Sequence, residues 1–438
     1  MKPILTGLNK KINDRSAIVA VVGLGYVGLP LSVEKAKVGF NVIGIDQNHR
    51  RVAMVNMGEN YIQDVKDDEL KELVSIKKIN AYTEFEHIKE ADVIIICVPT
   101  PLTKNMQPDI SYIVNVTNRI AEHLRMGQLV TLESTTYPGT TQEVMLPILE
   151  RTGLKVGEDF FLSFSPERVD PGNKRYTTKN TCKVVGGVTP QCLEIAETFY
   201  AQTIKEVIKV SSPAVAEMTK VFENTYRAVN IALVNELALL CDRMGLDVWE
   251  VLDAAATKPF GIQVFYPGPG VGGHCIPIDP FYLTWKAREY DFHTRFIELA
   301  AEINLQMPYH VVQVISRALN QNKKCVNGSK IVLLGVAYKK NISDERESPA
   351  IKVMELLIKE GAKICYHDAY ISELNMPEGK INSTELSEEL LKGTDCVVVL
   401  TNHSNVDYRW VADNCRLIVD TRNATKGLDS SVAKIVKL

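Results

Sequence analysis

The 438-residue sequence lacks several features that would assign it to a specialised class of protein. It contains no run of about 18 apolar residues that could cross a membrane as a helix. The opening stretch, MKPILTGLNKKIND, is too weakly apolar for a signal peptide, and no small-residue cleavage site follows it. No long basic run occurs and the net charge is −3, which argues against binding to nucleic acid or to a membrane surface. We therefore expect a cytoplasmic globular protein.

The nine cysteines include no C-x-x-C pair, and their number is odd. This pattern argues against a disulfide framework and against a zinc site, so we expect a reducing compartment and no metal. Eight of the nine have the surroundings of small buried apolar residues. Cys275 differs because it follows two glycines and a histidine in GVGGHCIPIDP, on a segment with little side-chain bulk.

The chain is too long for one hydrophobic core, so two or three domains are expected. Short apolar segments such as AIVAVV (17–22) and ADVIIICVPTP (91–101) alternate with helical patterns, which predicts a parallel sheet with crossover helices. From Ser211 a pattern without internal breakers predicts one helix of about 30 residues, roughly 45–50 Å long. The α/β alternation returns at Lys330 with KIVLLGVAY.

We therefore predict an α/β protein in which two Rossmann-like, doubly wound domains are joined by a helical middle domain with one long central helix. The expected boundaries are 1–210 for the first nucleotide-binding domain, 211–322 for the helical domain and 323–438 for the second Rossmann-like domain. The central helix is too long for one small domain to cover, so a homodimer or a higher homo-oligomer is expected.

The segment VVGLGYVG contains the pattern G-x-G-x-x-G at Gly23, Gly25 and Gly28. This pattern is informative here because it follows a predicted strand, opens a predicted helix and precedes an acidic strand end at Asp46. Gly23 permits the tight turn, Gly25 admits the pyrophosphate, and Gly28 allows the helix to pack on the strand. A carboxylate at Asp46 favours NAD over NADP, although the nearby Arg51 weakens that preference.

The second α/β region lacks this pattern, since Gly335 stands alone in LLGVAYKKNISDERESP. A turn with so few glycines suits a ligand other than a dinucleotide. Lys339 and Arg346 supply positive charge near a predicted helix start, whereas Lys340 is interpreted as a solvated side chain.

The residues with reactive potential are spread over three segments. Lys220 and Asn224 lie four residues apart on the long helix and share one face, where they could stabilise an oxyanion. Cys275 could attack an aldehyde as a thiolate, and Asp279 could order a water molecule. Glu167 follows a predicted strand, where active sites of open α/β sheets collect. Taken singly, each residue also has a structural explanation: a surface pair, a buried cysteine, an N-cap aspartate or a rim glutamate.

Six segments, in chain order, resemble the nucleotide-sugar 6-dehydrogenases over nearly the whole chain. They are GLGYVGLPL, ESTTYPGTT, SPERVDPG, KVFENTYRAVNIALVNELALLCDRMG, FYPGPGVGGHCIPIDP and AYKKNISDERESPA. Two of them, PGPGVGGHCIPIDP and SPERVDPG, are most similar to the branch that acts on UDP-N-acetylhexosamines, above all on UDP-N-acetylglucosamine. The resemblance implies an NAD-dependent, four-electron oxidation of the sugar C6 alcohol to a uronate that serves surface polysaccharide synthesis.

The resemblance also implies roles for individual residues. Cys275 would carry the sugar as a thiohemiacetal and then as a thioester, while Lys220 and Asn224 stabilise the oxyanion. Asp279 would assist proton transfer, Glu167 would act as general base, and Thr135 would hold water or cofactor. The other implied cofactor contacts are Tyr26, Val27, Thr100 and Arg346. The other implied substrate contacts are Arg168, Val169, Tyr266, Gly268, Gly272, Gly273, Lys339 and Arg422.

The sequence departs from relatives that act on glucose at several positions. Pro171 replaces a second glutamate, and Arg168 replaces an apolar residue and is interpreted as a substrate contact. Ile278 stands where relatives often carry a lysine. Residues 255–265 contain no arginine for the diphosphate, and Lys258 is the only cation there.

Several alternatives remain open. UDP-N-acetylgalactosamine, UDP-N-acetylmannosamine and UDP-glucose differ too little from UDP-N-acetylglucosamine for the sequence to choose among them. A two-electron hydroxyacid dehydrogenase shares the dinucleotide domain and the long helix, but it would release one NADH and would not need Cys275. A nucleotide-binding protein without catalysis would form no product acid.

Overall fold

The computed structural model describes residues 3–62, 65–103, 105–168, 176–177, 179–273, 275–377, 379–429 and 432–438. The chain forms two compact units. The first unit contains Met1–Glu223 and Phe281–Phe292, and the second contains Asn224–Pro280 and His293–Leu438. The division into three domains at residues 211 and 323 stays a prediction.

An eight-stranded sheet forms the centre of the first unit. Its strands are β1 Ile18–Val22, β2 Asn41–Ile45, β3 Ile79–Tyr82, β4 Val93–Ile96, β5 Leu129–Leu132, β6 Phe161–Phe164, β7 Lys183–Gly187 and β8 Val207–Val210. Their order is β3-β2-β1-β4-β5-β6-β7-β8, and every neighbouring pair is parallel except β6 and β7. The order 3-2-1-4-5-6 of the first six strands is that of a dinucleotide-binding fold.

Seven helices of the first unit cover this sheet. They are α1 Pro3–Asn13, α2 Gly28–Lys37, α3 His49–Met57, α4 Asp67–Ser75, α5 Ser111–Ala121, α6 Leu146–Glu150 and α7 Pro190–Ala201. The inner strands β1, β4, β5 and β6 are nearly all apolar and are buried on both faces, as expected for parallel strands covered by helices. Two separate apolar clusters fill the two sides of the sheet.

The remaining helices begin with one that contains 32 residues, in agreement with the long central helix predicted from the sequence. They are α8 Pro213–Met244, α9 Val248–Ala256, α10 Asp279–Ala287, α11 Arg295–Gln321, α12 Pro349–Lys359, α13 Glu388–Lys392 and α14 Tyr408–Asn414. Short 3₁₀ turns occur at Phe85–Lys89 and Arg288–Tyr290, and a π turn occurs at Thr141–Met145. Within the described ranges, no helix is both long and apolar enough to span a bilayer.

The second unit contains a five-stranded, entirely parallel sheet with the order β10-β9-β13-β14-β15. Its strands are β9 Lys330–Leu334, β10 Lys363–His367, β13 Cys396–Val399, β14 Leu417–Asp420 and β15 Lys434–Lys437, and a separate antiparallel ribbon contains β11 Glu373–Met376 and β12 Gly379–Asn382. The sheet packs against α11 and α12 through one apolar cluster, and a second cluster fills its other side. A mostly parallel sheet and an entirely parallel sheet, together with the long helix α8, confirm the α/β fold class predicted from the sequence.

Candidate active site

The glycine turn between β1 and α2 has the geometry that a dinucleotide site needs. Gly23 adopts φ +94°, and a Cβ atom at this position would lie 2.3 Å from the carbonyl oxygen of Cys97. A Cβ atom at Gly28 would lie 1.8 Å from the carbonyl oxygen of Gly23, so only glycine lets α2 approach β1 this closely. At Gly25 an added Cβ would meet no atom within 4 Å, which leaves open space in front of the first turn of α2.

The residues around this turn fit NAD. The Val27 side chain at the N-cap of α2 makes no capping hydrogen bond, and the Leu29 N–H donates to the carbonyl oxygen of Gly25 at 3.1 Å. Asp46 follows β2, and its carboxylate accepts hydrogen bonds from the backbone N–H groups of Leu24 (2.9 Å) and Asn48 (2.8 Å). Arg51 Nη1 lies 3.6 Å from Asp46 Oδ2, and the Tyr26 side chain is 37% exposed.

Three predicted site residues follow neighbouring strands at one edge of the first sheet. Thr100 comes after β4, Thr135 after β5 and Glu167 after β6, and these strands are adjacent and parallel. Thr100 is buried, and its carbonyl oxygen accepts a hydrogen bond from the Tyr282 hydroxyl. Thr135 and Glu167 are half-buried. Because parallel strands present their carboxyl ends at one edge, the fold collects these residues where ligands of open α/β sheets bind.

Glu167 is held by groups on both sides of its carboxylate. The backbone N–H of Arg168 donates a hydrogen bond to Oε1 at 2.7 Å, and Lys183 Nζ lies 3.7 Å from Oε2. The Arg168 guanidinium itself binds Glu223 at 2.5 Å and the carbonyl oxygen of Cys182 at 2.8 Å. Val169, the next predicted substrate contact, lies outside the described residues.

The second unit brings together the Asn224 side chain, Asp279 and the backbone of Cys275. Asn224 is buried on α8, and its Nδ2 donates a hydrogen bond to Asp279 Oδ2 at 2.5 Å. Asp279 is buried at the first position of α10, and its N–H donates to the carbonyl oxygen of Cys275 at 2.8 Å. Cys275 is a half-buried thiol. Lys220 is half-buried one turn before Asn224, on the part of α8 that belongs to the first unit.

The glycine-rich segment before Cys275 packs closely on the turn after β9. A Cβ atom at Gly272 would lie 2.7 Å from Tyr338 Cβ, and one at Gly273 would lie 2.8 Å from the Tyr338 ring. The Gly273 N–H donates a hydrogen bond to the carbonyl oxygen of Arg346 at 3.1 Å. Tyr338 therefore packs on the segment that carries Cys275, and the next residue in the chain, Lys339, is half-buried. The exposed Arg346 side chain forms a bidentate ion pair with Asp344 (2.6 and 2.9 Å).

A second close approach joins Gly268 to Arg422. A Cβ atom at Gly268 would lie 2.4 Å from Arg422 Nη1, and the Arg422 Nε donates a hydrogen bond to the carbonyl oxygen of Leu400 at 3.0 Å. Burial lowers the pKa of Arg422 to about 10, although Asp420 opposes this shift. The guanidinium nevertheless stays charged at neutral pH, beside the loop 264–268.

Tyr266 lies on the same loop and is 45% exposed. Its ring stacks against Trp249 with the centroids 5.8 Å apart, and its hydroxyl donates to Asp253 at 2.9 Å.

Sequence reasoning missed two charged residues beside Glu167. Lys183 opens the otherwise apolar strand β7, and Glu133 follows β5 at the start of the ESTT segment. Both are almost fully buried, and Lys183 Nζ lies 2.8 Å from Glu133 Oε2. The only sequence signal was a charged residue at the end of an apolar run, a position that most often faces solvent.

These features define an NAD-binding α/β protein of the dehydrogenase type, in which a dinucleotide turn accompanies a cysteine on a glycine-rich segment. Three family models match in chain order: the NAD binding domain (residues 17–204), the central domain (214–306) and the UDP binding domain (332–427) of the UDP-glucose/GDP-mannose dehydrogenase family.

Individual relatives cover most of the chain. A UDP-N-acetyl-D-glucosamine 6-dehydrogenase from Pseudomonas aeruginosa is 39% identical over 81% of this chain and 83% of its own length. A UDP-N-acetyl-D-mannosamine dehydrogenase from Pyrococcus horikoshii is 35% identical over 93% of this chain and 96% of its own. The solved structure of a UDP-D-ManNAc dehydrogenase from Pyrococcus horikoshii matches with a TM-score of 0.87 and 33% identity, over 96% of this chain and 98% of that one.

The chain therefore belongs to the UDP-glucose/GDP-mannose dehydrogenase family. It is an NAD-dependent oxidoreductase that acts on a UDP-sugar, because it contains both the NAD binding and the UDP binding domain of that family. The family and the cofactor predicted from the sequence are thereby confirmed.

Proposed function

We propose that the protein oxidises the C6 alcohol of UDP-N-acetylglucosamine to the corresponding uronate, in two successive two-electron steps. Relatives named for the glucosamine and the mannosamine substrates support a UDP-N-acetylhexosamine. The glucosamine form is preferred because the segments SPERVDPG and PGPGVGGHCIPIDP resemble that branch.

The reaction consists of two oxidations and one hydrolysis. The first oxidation removes two electrons and two protons from the alcohol and leaves an aldehyde. The Cys275 sulfur adds to this aldehyde to form a thiohemiacetal, and the second oxidation converts the thiohemiacetal to a thioester. Water then cleaves the C–S bond, which releases the carboxylate and regenerates the thiol. NAD, when bound, accepts one hydride in each oxidation and the hydroxyl proton passes to water, so two NADH form for each UDP-sugar.

The observation that carries this proposal is the hydrogen bond between Asn224 and Asp279, with the Asp279 N–H bound to the Cys275 carbonyl. Asp279 fixes the Asn224 amide, and Asn224 together with Lys220 would stabilise negative charge on the substrate oxygen. Asp279 would also assist proton transfer through water. A one-step dehydrogenase has no need of a cysteine in this arrangement, whereas an enzyme that retains an aldehyde needs a nucleophile.

The remaining roles are those that the family resemblance implies, and the positions of these residues in the sheets and loops support them. Glu167 would act as general base for water attack on the thioester, and Thr135 at the neighbouring strand end would hold water or cofactor. Arg422 beside Gly268 is suited to the diphosphate, because a planar guanidinium binds phosphate oxygens in pairs. Lys339 would supply a second positive charge near the substrate.

Tyr26, Val27, Thr100 and Arg346 would complete the cofactor site, and Arg168 and Tyr266 would line the substrate. The Arg168 guanidinium already binds Glu223 and Cys182, so its proposed part is to shape the pocket beside Glu167.

The decisive experiment counts NADH released per UDP-sugar consumed, with UDP-N-acetylglucosamine, UDP-N-acetylgalactosamine, UDP-N-acetylmannosamine and UDP-glucose assayed separately. We expect two NADH and one uronate from UDP-N-acetylglucosamine. Cys275→Ser should abolish uronate formation, whereas Cys325→Ser, at an exposed thiol, should leave it unchanged. One NADH per substrate and an active Cys275→Ser variant would identify a two-electron dehydrogenase instead.

We also propose a homodimer formed through α8. Seven large apolar side chains recur along this helix at spacings of three, four or seven residues, and each is at least 41% exposed in the single chain. They are Val215, Met218, Phe222, Tyr226, Leu233, Leu240 and Met244. A stripe of this length is self-complementary when two copies pack about a twofold axis. Leu233→Lys should yield monomers in sedimentation, whereas Ile76→Lys, at an equally exposed position on another surface, should not.

A further inference from the structure

A buried chain of polar groups leads from the interior of the first unit to Glu167. The Tyr200 hydroxyl donates to Glu133 Oε1 at 2.7 Å, and Lys183 Nζ donates to Glu133 Oε2 at 2.8 Å. The same Nζ atom lies 3.7 Å from Glu167 Oε2. Tyr200, Glu133 and Lys183 are at most 4% exposed, so one buried ammonium lies between two carboxylates.

Stability alone does not explain this arrangement. Burying a charged pair costs several kcal/mol per ion in desolvation, and an apolar replacement of similar size is often neutral or stabilising. Burial by itself would lower the pKa of Lys183, but the attraction of Glu133 and Glu167 outweighs burial and raises that pKa. Lys183 therefore stays positively charged throughout the neutral range.

The second buried lysine nearby behaves differently. Lys35 on α2 donates to Thr203 Oγ1 at 2.7 Å, and burial lowers its pKa to about 7. Lys35 makes no ion pair with a carboxylate among the described residues. The contrast shows that the two carboxylates, and not the depth of burial, keep Lys183 charged.

We propose that Lys183 is a positioning residue for Glu167. Tyr200 orients Glu133, Glu133 orients Lys183, and the Lys183 ammonium attracts one oxygen of Glu167 while the Arg168 N–H holds the other. The separation of 3.7 Å between Lys183 Nζ and Glu167 Oε2 is that of an ion pair and is too long for a hydrogen bond. Lys183 also neutralises the repulsion between the two glutamates. This inference rests on the proposed role of Glu167 as general base.

The test compares Lys183→Met, Lys183→Arg and Lys35→Met. We expect Lys183→Met to lower kcat about 100-fold, since a small misplacement of a catalytic group can cost that much. KM for UDP-N-acetylglucosamine should change little. The thioester on Cys275 should accumulate, and mass spectrometry of the intact, acid-quenched protein detects it. Lys183→Arg should restore much of kcat, and Lys35→Met should behave as wild type in both readouts.

Tyr200→Phe provides a second test of the same chain of polar groups if the Lys183→Met variant does not fold. It removes a single hydrogen bond to Glu133, so it should lower kcat by a smaller factor and with the same accumulation of thioester. A folded Lys183→Met or Tyr200→Phe variant with wild-type kcat and no covalent adduct would overturn the inference.

Glu167→Gln separates this inference from the proposed function. If Glu167→Gln retains wild-type turnover, the proposed role of Glu167 is wrong. If Glu167→Gln traps the thioester but Lys183→Met does not, only the positioning role fails. Adding Lys183→Met to Glu167→Gln should cause little further loss, because both changes disable the same group.

Discussion

The first strand of each large sheet, β1 and β9, is followed by the same kind of glycine turn, but the surroundings of the two turns differ. Gly23 after β1 and Gly335 after β9 both adopt a positive φ, +94° and +80°. An added Cβ would lie 2.3 Å from a carbonyl oxygen of the adjacent strand end in each case, that of Cys97 for Gly23 and that of Thr401 for Gly335. The Gly23 N–H donates to Ile45 and the Gly335 N–H to His367, so the two turns are tied to equivalent neighbouring strands.

The aspartates that follow those neighbouring strands differ in the number of hydrogen bonds that their carboxylates accept. Asp46 accepts hydrogen bonds from two backbone N–H groups, as described above. Asp368 accepts from four, which belong to Val336, Ala337, Tyr370 and Ile371. It also binds the buried His403 ring at 3.0 Å.

This difference explains why one turn suits a dinucleotide and the other does not. In the first turn, Gly25 leaves open space before α2, and the Asp46 carboxylate can accept hydrogen bonds from a ribose. In the second turn, Val336 and Ala337 are fully buried and their N–H groups are bound to Asp368. The carboxylate at this position would therefore bind a ligand in the first sheet, whereas in the second sheet it stabilises the turn itself.

The largest effect should come from alanine at the two shared glycines. Gly335→Ala should lower the free energy of unfolding by about 2 kcal/mol or more, because it adds a backbone clash to an unfavourable positive φ. Gly23→Ala should do the same and also raise KM for NAD. Thermal unfolding measures the first effect, and steady-state kinetics measures the second.

Gly328→Ala is the matched control for these substitutions, because Gly328 also has φ +80° but an added Cβ meets nothing within 4 Å. It should cost only about 1 kcal/mol, the price of the left-handed conformation. An equal loss for Gly328→Ala and Gly335→Ala would show that the close approach to Thr401 has no energetic role.

Replacing each of the two aspartates by asparagine should separate an effect on stability from an effect on NAD binding. Asp368→Asn should lower the free energy of unfolding by about 2 kcal/mol, because charge-assisted hydrogen bonds to a buried carboxylate are lost. Asp46→Asn should mainly raise KM for NAD. Urea unfolding and NAD titration of both variants distinguish the two outcomes.

The effect of Asp368→Asn should depend on pH. Burial raises the pKa of Asp368, but hydrogen bonds from His403 and from the backbone of Ala337 and Val336 outweigh burial and hold the pKa below its usual value. A carboxyl group with a depressed folded pKa stabilises the protein above its unfolded pKa, about 3.9. The difference in the free energy of unfolding between wild type and Asp368→Asn should thus be largest at neutral pH and should shrink below about pH 4. A difference that stays constant down to pH 3 would contradict this account.

The smallest effect should follow Gly25→Ala. The added methyl meets nothing within 4 Å, so stability should be kept, while the methyl intrudes on the space for the pyrophosphate. We expect KM for NAD to rise about tenfold, equivalent to about 1.4 kcal/mol. Gly7→Ala, at a helical glycine of α1 that is also uncrowded, should leave KM for NAD unchanged. The same KM for NAD in both variants would show that Gly25 is not part of the cofactor site.

The features that sequence reasoning identified depend on short, contiguous segments of the chain. The glycine turn at Gly23–Gly28, the acidic strand end at Asp46 and the 32-residue helix α8 depend on local backbone preferences and on apolar periodicity. Sequence reasoning missed Lys183 and Glu133, because a single charged residue beside an apolar strand carries no sign of its partner. It also left open whether Asn224 and Asp279 meet, since 55 residues separate them.

The sequence by itself thus determined the alternating α/β plan, the turn that can receive a dinucleotide and the cysteine on a glycine-rich segment, because each depends on residues close together in the chain. Only the tertiary structure decided which charges pair. The strand order β5-β6-β7 brings Glu133, Glu167 and Lys183 together, and one hydrogen bond joins Asp279 to Asn224. Electrostatic interactions act through space between groups that burial removes from water, and the distances between those groups are set by the packing of distant segments.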